Sequence, residues 1–254
     1  MTMLPALEVN NLGKLYKVDH QKERGVRAFL DSLLKAKWLS SEAAELYWSL
    51  RGVTFSIAQG EIVGLVGGNG AGKSTLLKLL TRVTFPTEGE GFVRGRVGCL
   101  LEADAGFHPE LTGRENIFLS GILLGMSHSQ VKKNFDAIVD FSGVSRFLDT
   151  PVKHYSSGMN VRLGFAIASF LQADVLIVDE VLAVGDAAFE QQCLARIREI
   201  SQSGTTVLIV SHDMAIIESL CPRVLVLENG RLVFDGAAGK AIMRYYDHRQ
   251  AKQG

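Results

Sequence analysis

Hydrophobic positions in this chain follow two rhythms. Apolar runs bounded by turn residues occur at Ile62-Val63-Gly64-Leu65-Val66, Asp174-Val175-Leu176-Ile177-Val178-Asp179 and Thr206-Val207-Leu208-Ile209-Val210. Each is too short for a stable helix and rich in β-branched residues, so each predicts a strand buried on both faces. Helical periodicity fills the intervals: the stretch after Gly72, a largely helical region from 103 to about 170, and Phe189 to Ser201. This alternation predicts an α/β fold with a mainly parallel core sheet. The flanks read differently. Leu7 to Leu12 alternates and continues toward Tyr16 as an opening strand, and Ser49 to Ile57 is a second, joined by the turn Ala58-Gln59-Gly60-Glu61 to Ile62–Val66. Pro86 to Gly91 predicts a turn, followed by short β runs through Leu101. Val224–Leu227 and Leu232–Phe234 flank Glu228-Asn229-Gly230-Arg231 as a hairpin, and a helix from Lys240 to about Arg249 follows.

Residues 19 to 48 stand apart from this plan as an insertion. Val26, Phe29, Leu30, Leu33, Leu34 and Trp38 recur at helical spacing, while Lys22, Arg24, Arg27, Lys35 and Lys37 make much of the rest basic. Such a helix either packs on its own domain or lies at a membrane surface or against a membrane partner. Basic and aromatic amphipathicity favours the second.

Composition narrows the class. The chain has 254 residues, enough for one α/β domain with a subdomain. Lys plus Arg and Asp plus Glu are equal at 27 each, so no global charge points to nucleic acid. Cys99, Cys193 and Cys221 are widely spaced and follow no signal peptide, which suits reduced cytosolic thiols better than a disulfide framework or a zinc site. The longest clean apolar block, Gly164 to Leu171, falls far short of the roughly 18 residues a membrane span requires.

The chemistry starts at Gly67-Gly68-Asn69-Gly70-Ala71-Gly72-Lys73-Ser74-Thr75. Strand, glycine loop and helix start succeed one another in the order of a phosphate-binding loop. Backbone N–H groups can approach a triphosphate only where side chains do not intervene, and the following helix turns its positive end to the same anion. Lys73 then reaches the β- and γ-phosphates, and the Ser74 hydroxyl can ligate Mg²⁺. Parallel strands deliver groups at their carboxyl ends, so Asp179, Glu180 and His212 should gather near this loop. Asp179 suits a Mg²⁺-holding carboxylate, Glu180 is placed to polarise an attacking water, and His212 could contact the γ-phosphate. Ser156-Ser157-Gly158, just before a helix, offers hydroxyls and open N–H donors to a second anion site.

Together these motifs resemble the ATP-binding-cassette (ABC) ATPases over essentially residues 6 to 236. Lys153-His154-Tyr155-Ser156-Ser157-Gly158-Met159 is similar to the family's Leu-Ser-Gly-Gly-Gln signature, with Tyr155 for the leading Leu, Ser157 at the first Gly and Met159 at the Gln. Glu102 stands where the family has a Mg²⁺-associated glutamine. Val184-Gly185-Asp186 matches the D-loop, with Asp186 at the intersubunit position, and Tyr16 matches the aromatic that stacks on adenine. Within the family, Glu102 to Asn116 and Tyr155 to Met159 look like ATPase subunits of polysaccharide exporters, which move O-antigen, capsule, teichoic acid or related lipid-linked glycans. The inserted amphipathic helix resembles the gate helix of some members.

The resemblance implies a P-loop ABC cassette with an N-terminal antiparallel β subdomain and a helical subdomain at about 103–170. It implies one nucleotide-binding domain over 1–254, with no C-terminal carbohydrate-binding domain. The ligands would be ATP and Mg²⁺. The partners would be a second copy, closing head to tail on ATP, and two copies of a separate permease at the cytoplasmic face of the membrane, with no nucleic acid. An ABC ATPase for a drug or lipid substrate is the alternative. A soluble ABC protein of repair or translation is a third reading, against which stands the lack of a coiled-coil insertion or second cassette.

Overall fold

A computed structural model describes residues 4–18, 45–100, 106–179 and 186–251. Along the chain run β1 (Leu7–Val18), β2 (Glu45–Ile57), β3 (Ile62–Val66), α1 (Lys73–Leu80), β4 (Glu88–Val93) and β5 (Val97–Leu100). The helices α2 (Gly113–Leu123), α3 (His128–Ser142) and α4 (Ser157–Ser169) follow. Then come β6 (Val175–Asp179), α5 (Ala187–Gln202), β7 (Thr206–Val210), α6 (Met214–Leu220), β8 (Arg223–Glu228), β9 (Arg231–Ala237) and α7 (Ala238–Ala251).

The apolar runs form one sheet in the order β5-β6-β7-β3-β8-β9. It is parallel except for β9, which returns antiparallel along β8 from the Asn229-Gly230 turn. Successive side chains of a strand point to opposite faces, which makes each run feed two cores. Leu176, Val178, Val207, Ile209, Val224 and Val226 face α5, α6 and α7, meeting Phe189, Ile197, Ile217 and Tyr245. Their alternates Val63, Leu65, Val175, Ile177, Leu208, Val210, Leu225 and Leu227 face the other way, against Leu76, Leu77 and Leu80 of α1 and Leu7, Val9 and Phe55 of the second sheet. That second sheet is antiparallel, in the order β2-β1-β4.

A third core holds the helical subdomain together, built from Ile117, Met126, Val131, Ile138, Leu148, Val152, Tyr155, Leu163 and Ile167. Side-chain caps fix where its helices begin. Thr112 and Glu115 form a capping box on α2, and Ser127 and Gln130 form one on α3, which Gly143 ends in a left-handed conformation. Helix α4 serves two cores at once, with Phe165 and Ala168 on the sheet side and Leu163, Ala166 and Ile167 on the helical side.

Two expectations shift. The second strand starts at Glu45, not Ser49, because the pairs Tyr16↔Tyr47, Leu15↔Trp48 and Val18↔Glu45 extend its ladder with β1. The Glu88-Gly89-Glu90-Gly91 segment is strand, not turn. It pairs with β1 through Asn10↔Glu90 and Gly13↔Glu88, and its glycines are answered by an irregularity opposite, where Asn11 has φ 48°. Residues 19–44, including the amphipathic positions Val26 to Trp38, lie outside the described residues, as do 101–105 and 180–185.

The junction of the two sheets holds the loop after β3 from behind. Gly67 abuts the Leu227 carbonyl at the end of β8, leaving no room for a β-carbon. Gly72 has φ 104°, and a β-carbon there would stand 2.6 Å from the Ser49 carbonyl of β2. Gly230, at φ 74° in the β8–β9 turn, donates its N–H to Ala71 O at 3.0 Å and accepts from Arg51 N at 2.8 Å. The loop is thus wedged between β2, β8 and a hairpin turn. Gly72→Ala combines a left-handed backbone with a collision and should lower unfolding free energy by at least about 2 kcal/mol, read from urea unfolding of the full chain.

Candidate nucleotide-binding site

Because β6, β7 and β3 are adjacent and in register, their carboxyl ends emerge together: Asp179 lies opposite Val210, and Val210 opposite Leu65. Beyond that edge lies a cleft of about 420 Å³ lined by Tyr47, Ser49, Gly68 to Thr75 and Asp179. Asn69, Gly70, Ala71, Gly72, Lys73, Ser74, Thr75 and Asp179 are therefore brought to one cavity. Gly67 is buried just behind it.

The four loop glycines do different work. Gly67 and Gly72 are crowded by the protein's own backbone, whereas nothing lies within 4 Å of where a β-carbon would stand on Gly68 or Gly70. The open side is the one a phosphate needs. Gly72 begins α1 without any side-chain cap, so the first N–H groups of that helix are left to an anion. Lys73 bends back over the loop and donates to Gly67 O at 2.7 Å and Gly68 O at 3.3 Å. Its ammonium is held at the cleft by carbonyls that a triphosphate can replace. Ser49 and Thr75 share a hydrogen bond of 2.7 Å that ties β2 to the first turn of α1.

The donor set fits a triphosphate with a small hard cation. Ser74 and Asp179 present oxygens to the cleft, and Mg²⁺ commonly takes one or two protein oxygens, completing its shell with phosphate and water.

Other sequence-predicted residues sit elsewhere. His212 is exposed just past β7 and Asp186 is exposed at the start of α5; neither lines the cleft. Asp186 Oδ1 caps α5 by accepting from Phe189 N at 2.9 Å, and its other oxygen meets Arg162 Nη2 of α4 at 2.6 Å. The Phe189 N–H and then the Arg162 guanidinium hold its carboxyl below the usual carboxylate range. Ser156, Ser157 and Gly158 form a second N-terminus, where Ser156 Oγ accepts from Met159 N at 3.2 Å and both serines are exposed. None of the three lines the cleft of the same chain. Glu102 and Glu180 lie outside the described residues.

Two tyrosines stand at the strand edge beside the loop. Tyr16 is half-buried with Lys14 Nζ 5.3 Å from its ring centroid, and does not line the cleft. Tyr47, directly opposite it on β2, does. Sequence reasoning missed Tyr47 because it ended the insertion too late, and it placed Ser49 at a strand start without assigning it to the site. The signal was present in Leu46-Tyr47-Trp48, strand-forming residues continuous with Ser49–Ile57.

The family model described as "ABC transporter" matches residues 50–183. The O-antigen export system ATP-binding protein of Klebsiella pneumoniae is 42% identical over 96% of this chain and 98% of its own length. The teichoic acids export ATP-binding protein of Bacillus anthracis is 38% identical over 84% of this chain and 39% of its own length. Among solved structures, the ATP-binding subunit of an ABC transporter superposes with TM-score 0.73 at 24% identity over 95% of this chain and 93% of that one. A dimeric ATP-binding cassette in a post-hydrolysis state, bound to ADP and Pi, gives TM-score 0.72 at 20% identity over 91% and 98%. These two carry the fold, an ABC cassette; the sequence relatives carry the group. The chain belongs to the ABC transporter family and, within it, to the ATP-hydrolysing subunits of polysaccharide exporters.

Proposed function

We propose that this chain drives export of a lipid-linked polysaccharide across the cytoplasmic membrane by closing with a second copy of itself on ATP. The observation that carries the closing step is the separation of two helix N-termini, that of α1 and that of α4. The glycine cleft has Lys73 and open N–H groups on one side, while Ser156-Ser157-Gly158 is exposed away from it in the same chain. A head-to-tail pair would supply each cleft with the other copy's serine terminus, so ATP would be surrounded only in the dimer. A ligand that binds the closed state far better than the open one shifts the population toward closure. End-to-end similarity to an O-antigen exporter protein supports the glycan as cargo.

In this reading the loop N–H groups and Lys73 would hold the phosphates, while Ser74 and Asp179, with Glu102, would hold Mg²⁺, which would supply neutralisation of phosphate charge. Glu180 accepts a proton from the attacking water, His212 meets the γ-phosphate, and Asp186 lies at the contact between copies. Tyr47, with Tyr16 beside it as its cross-strand partner, offers a face for adenine.

The protein would act at the cytoplasmic face, bound to two permease subunits. Among the described residues no helix is long and apolar enough to cross a membrane. A surface for the permease is supported by α2, which leaves Ile122 and Leu123 exposed beside the turn at Gly106. The inserted basic amphipathic segment is a second membrane-directed element.

Three outcomes test this reading. Glu180→Gln should bind ATP and accumulate as a dimer by light scattering while phosphate release stops; undiminished hydrolysis would remove Glu180 as the base. Tyr47→Ala should weaken ATP binding by roughly five- to a hundredfold, the range of one lost base–aromatic stack, and by more than Tyr16→Ala does. Deleting Val26 to Trp38 should leave ATPase activity of the isolated subunit intact and abolish glycan export in cells. Intact export would show that the segment has no part in transport.

A further inference from the structure

Tyr155 immediately precedes Ser156, the cap of α4, and the structure gives its hydroxyl a task. The ring is 8% exposed and belongs to the core of the helical subdomain. Its hydroxyl donates to Phe147 O at 2.7 Å. The other wall of its socket is Gly113, the first residue of α2, where any β-carbon would collide with the Tyr155 hydroxyl. Gly113 has no positive φ, so its backbone does not call for glycine. Glycine within a helix costs stability relative to alanine, and here the missing side chain is explained by space for the tyrosine.

The pair sits at one end of a two-stranded zipper. Residues 109–114 and 148–153 run antiparallel through Lys153 N to Pro109 O (3.1 Å), Val152 N to Leu111 O (3.0 Å), Gly113 N to Thr150 O (3.2 Å) and Arg114 N to Leu148 O (2.9 Å). Ion pairs Lys153–Glu110 (2.6 Å) and Arg114–Asp149 (2.8 Å) lie on its exposed edges. Exposed pairs contribute little; the backbone bonds and the buried ring fix the register. Tyr155 is also the residue immediately before Ser156, the cap of α4. The start of α2, whose far end carries the exposed Ile122 and Leu123, is therefore joined to the serine terminus through one buried side chain.

We infer that Tyr155 is a positioning residue seated in a glycine socket at Gly113, and that it sets the placement of Ser156-Ser157-Gly158 against α2 for closure on ATP. This rests on the head-to-tail reading above and adds to it the element that carries displacement of the permease-facing helix to the ATP-closing surface. A one-piece link of this kind moves both ends together, whereas a flexible joint would absorb the motion.

The test uses the full chain carrying Glu180→Gln, with dimer fraction followed by light scattering across an ATP titration. Monomer-side binding is followed separately with a fluorescent trinitrophenyl ATP analogue. Tyr155→Phe keeps the ring and removes only the hydroxyl, so it should fold; it should raise the ATP needed for half-maximal dimer by roughly three- to tenfold. Analogue binding to its glycine cleft should stay within about twofold, a split that general loss of stability would not produce. Gly113→Ala should shift dimerisation similarly, and adding Tyr155→Leu to it should recover part of that shift, because the smaller side chain relieves the collision. If the parent dimerises and Tyr155→Phe and Tyr155→Leu both match it, or if the Gly113 and Tyr155 effects simply add, the inference is overturned alone. If the parent itself fails to dimerise with ATP, the head-to-tail reading falls and takes this inference with it.

Discussion

A loop that binds triphosphate must keep its N–H groups unfilled by its own chain and yet hold one shape. Those demands conflict, since unpaired backbone groups ordinarily collapse onto neighbours or admit water. Here the conflict is resolved from behind. The Leu227 carbonyl abuts Gly67, the Ser49 carbonyl abuts Gly72, and Gly230 bonds to Ala71 and Arg51 at once. The bracing contributed by β2, β8 and the hairpin turn arrives behind the loop, and Lys73 adds bonds to Gly67 O and Gly68 O from the cleft. The two sheets are needed together because the loop is gripped where they meet.

The second terminus is held by different means. Ser156 begins a helix whose inner rows are shared between the sheet core and the helical core. Its hydroxyl caps that helix, and the chain just before it is anchored by a buried tyrosine. The glycine loop is therefore set by backbone crowding and the serine terminus by side-chain packing. Sites on rigid elements hold geometry better than sites on free loops, and each terminus has been given such an element.

Much of this was legible in the sequence. The parallel strands declared themselves because strands buried on both faces must be largely apolar, as Val175–Val178 and Val207–Val210 are. The nucleotide loop was readable because its glycines, Lys73 and Ser74 serve one chemistry in a fixed order. Less readable was β4, whose alternating glycines carry a turn's composition and whose pairing is decided by β1. Tyr47 was missed although Leu46-Tyr47-Trp48 has strand-forming composition, because its pairing with Tyr16 across the ladder decides where the strand starts. The separate reasons for the four loop glycines were also out of reach, because crowding by Leu227 and Ser49 is a fact of tertiary packing. Glu102, Glu180 and the amphipathic helix rest on sequence alone.

The double duty of α4 has a consequence for how such a chain can change over generations. Leu163, Ala166 and Ile167 face one core, and Phe165 and Ala168 face another, on neighbouring turns of one helix. A change of volume at any of these positions is felt by one core directly and by the other through a shift of the helix, since close-packed interiors transmit displacement. Tolerance to drift should be lowest in a stretch that touches no ligand. Variation is then channelled to exposed positions such as Ile122 and Leu123, which can change with less disturbance to either interior.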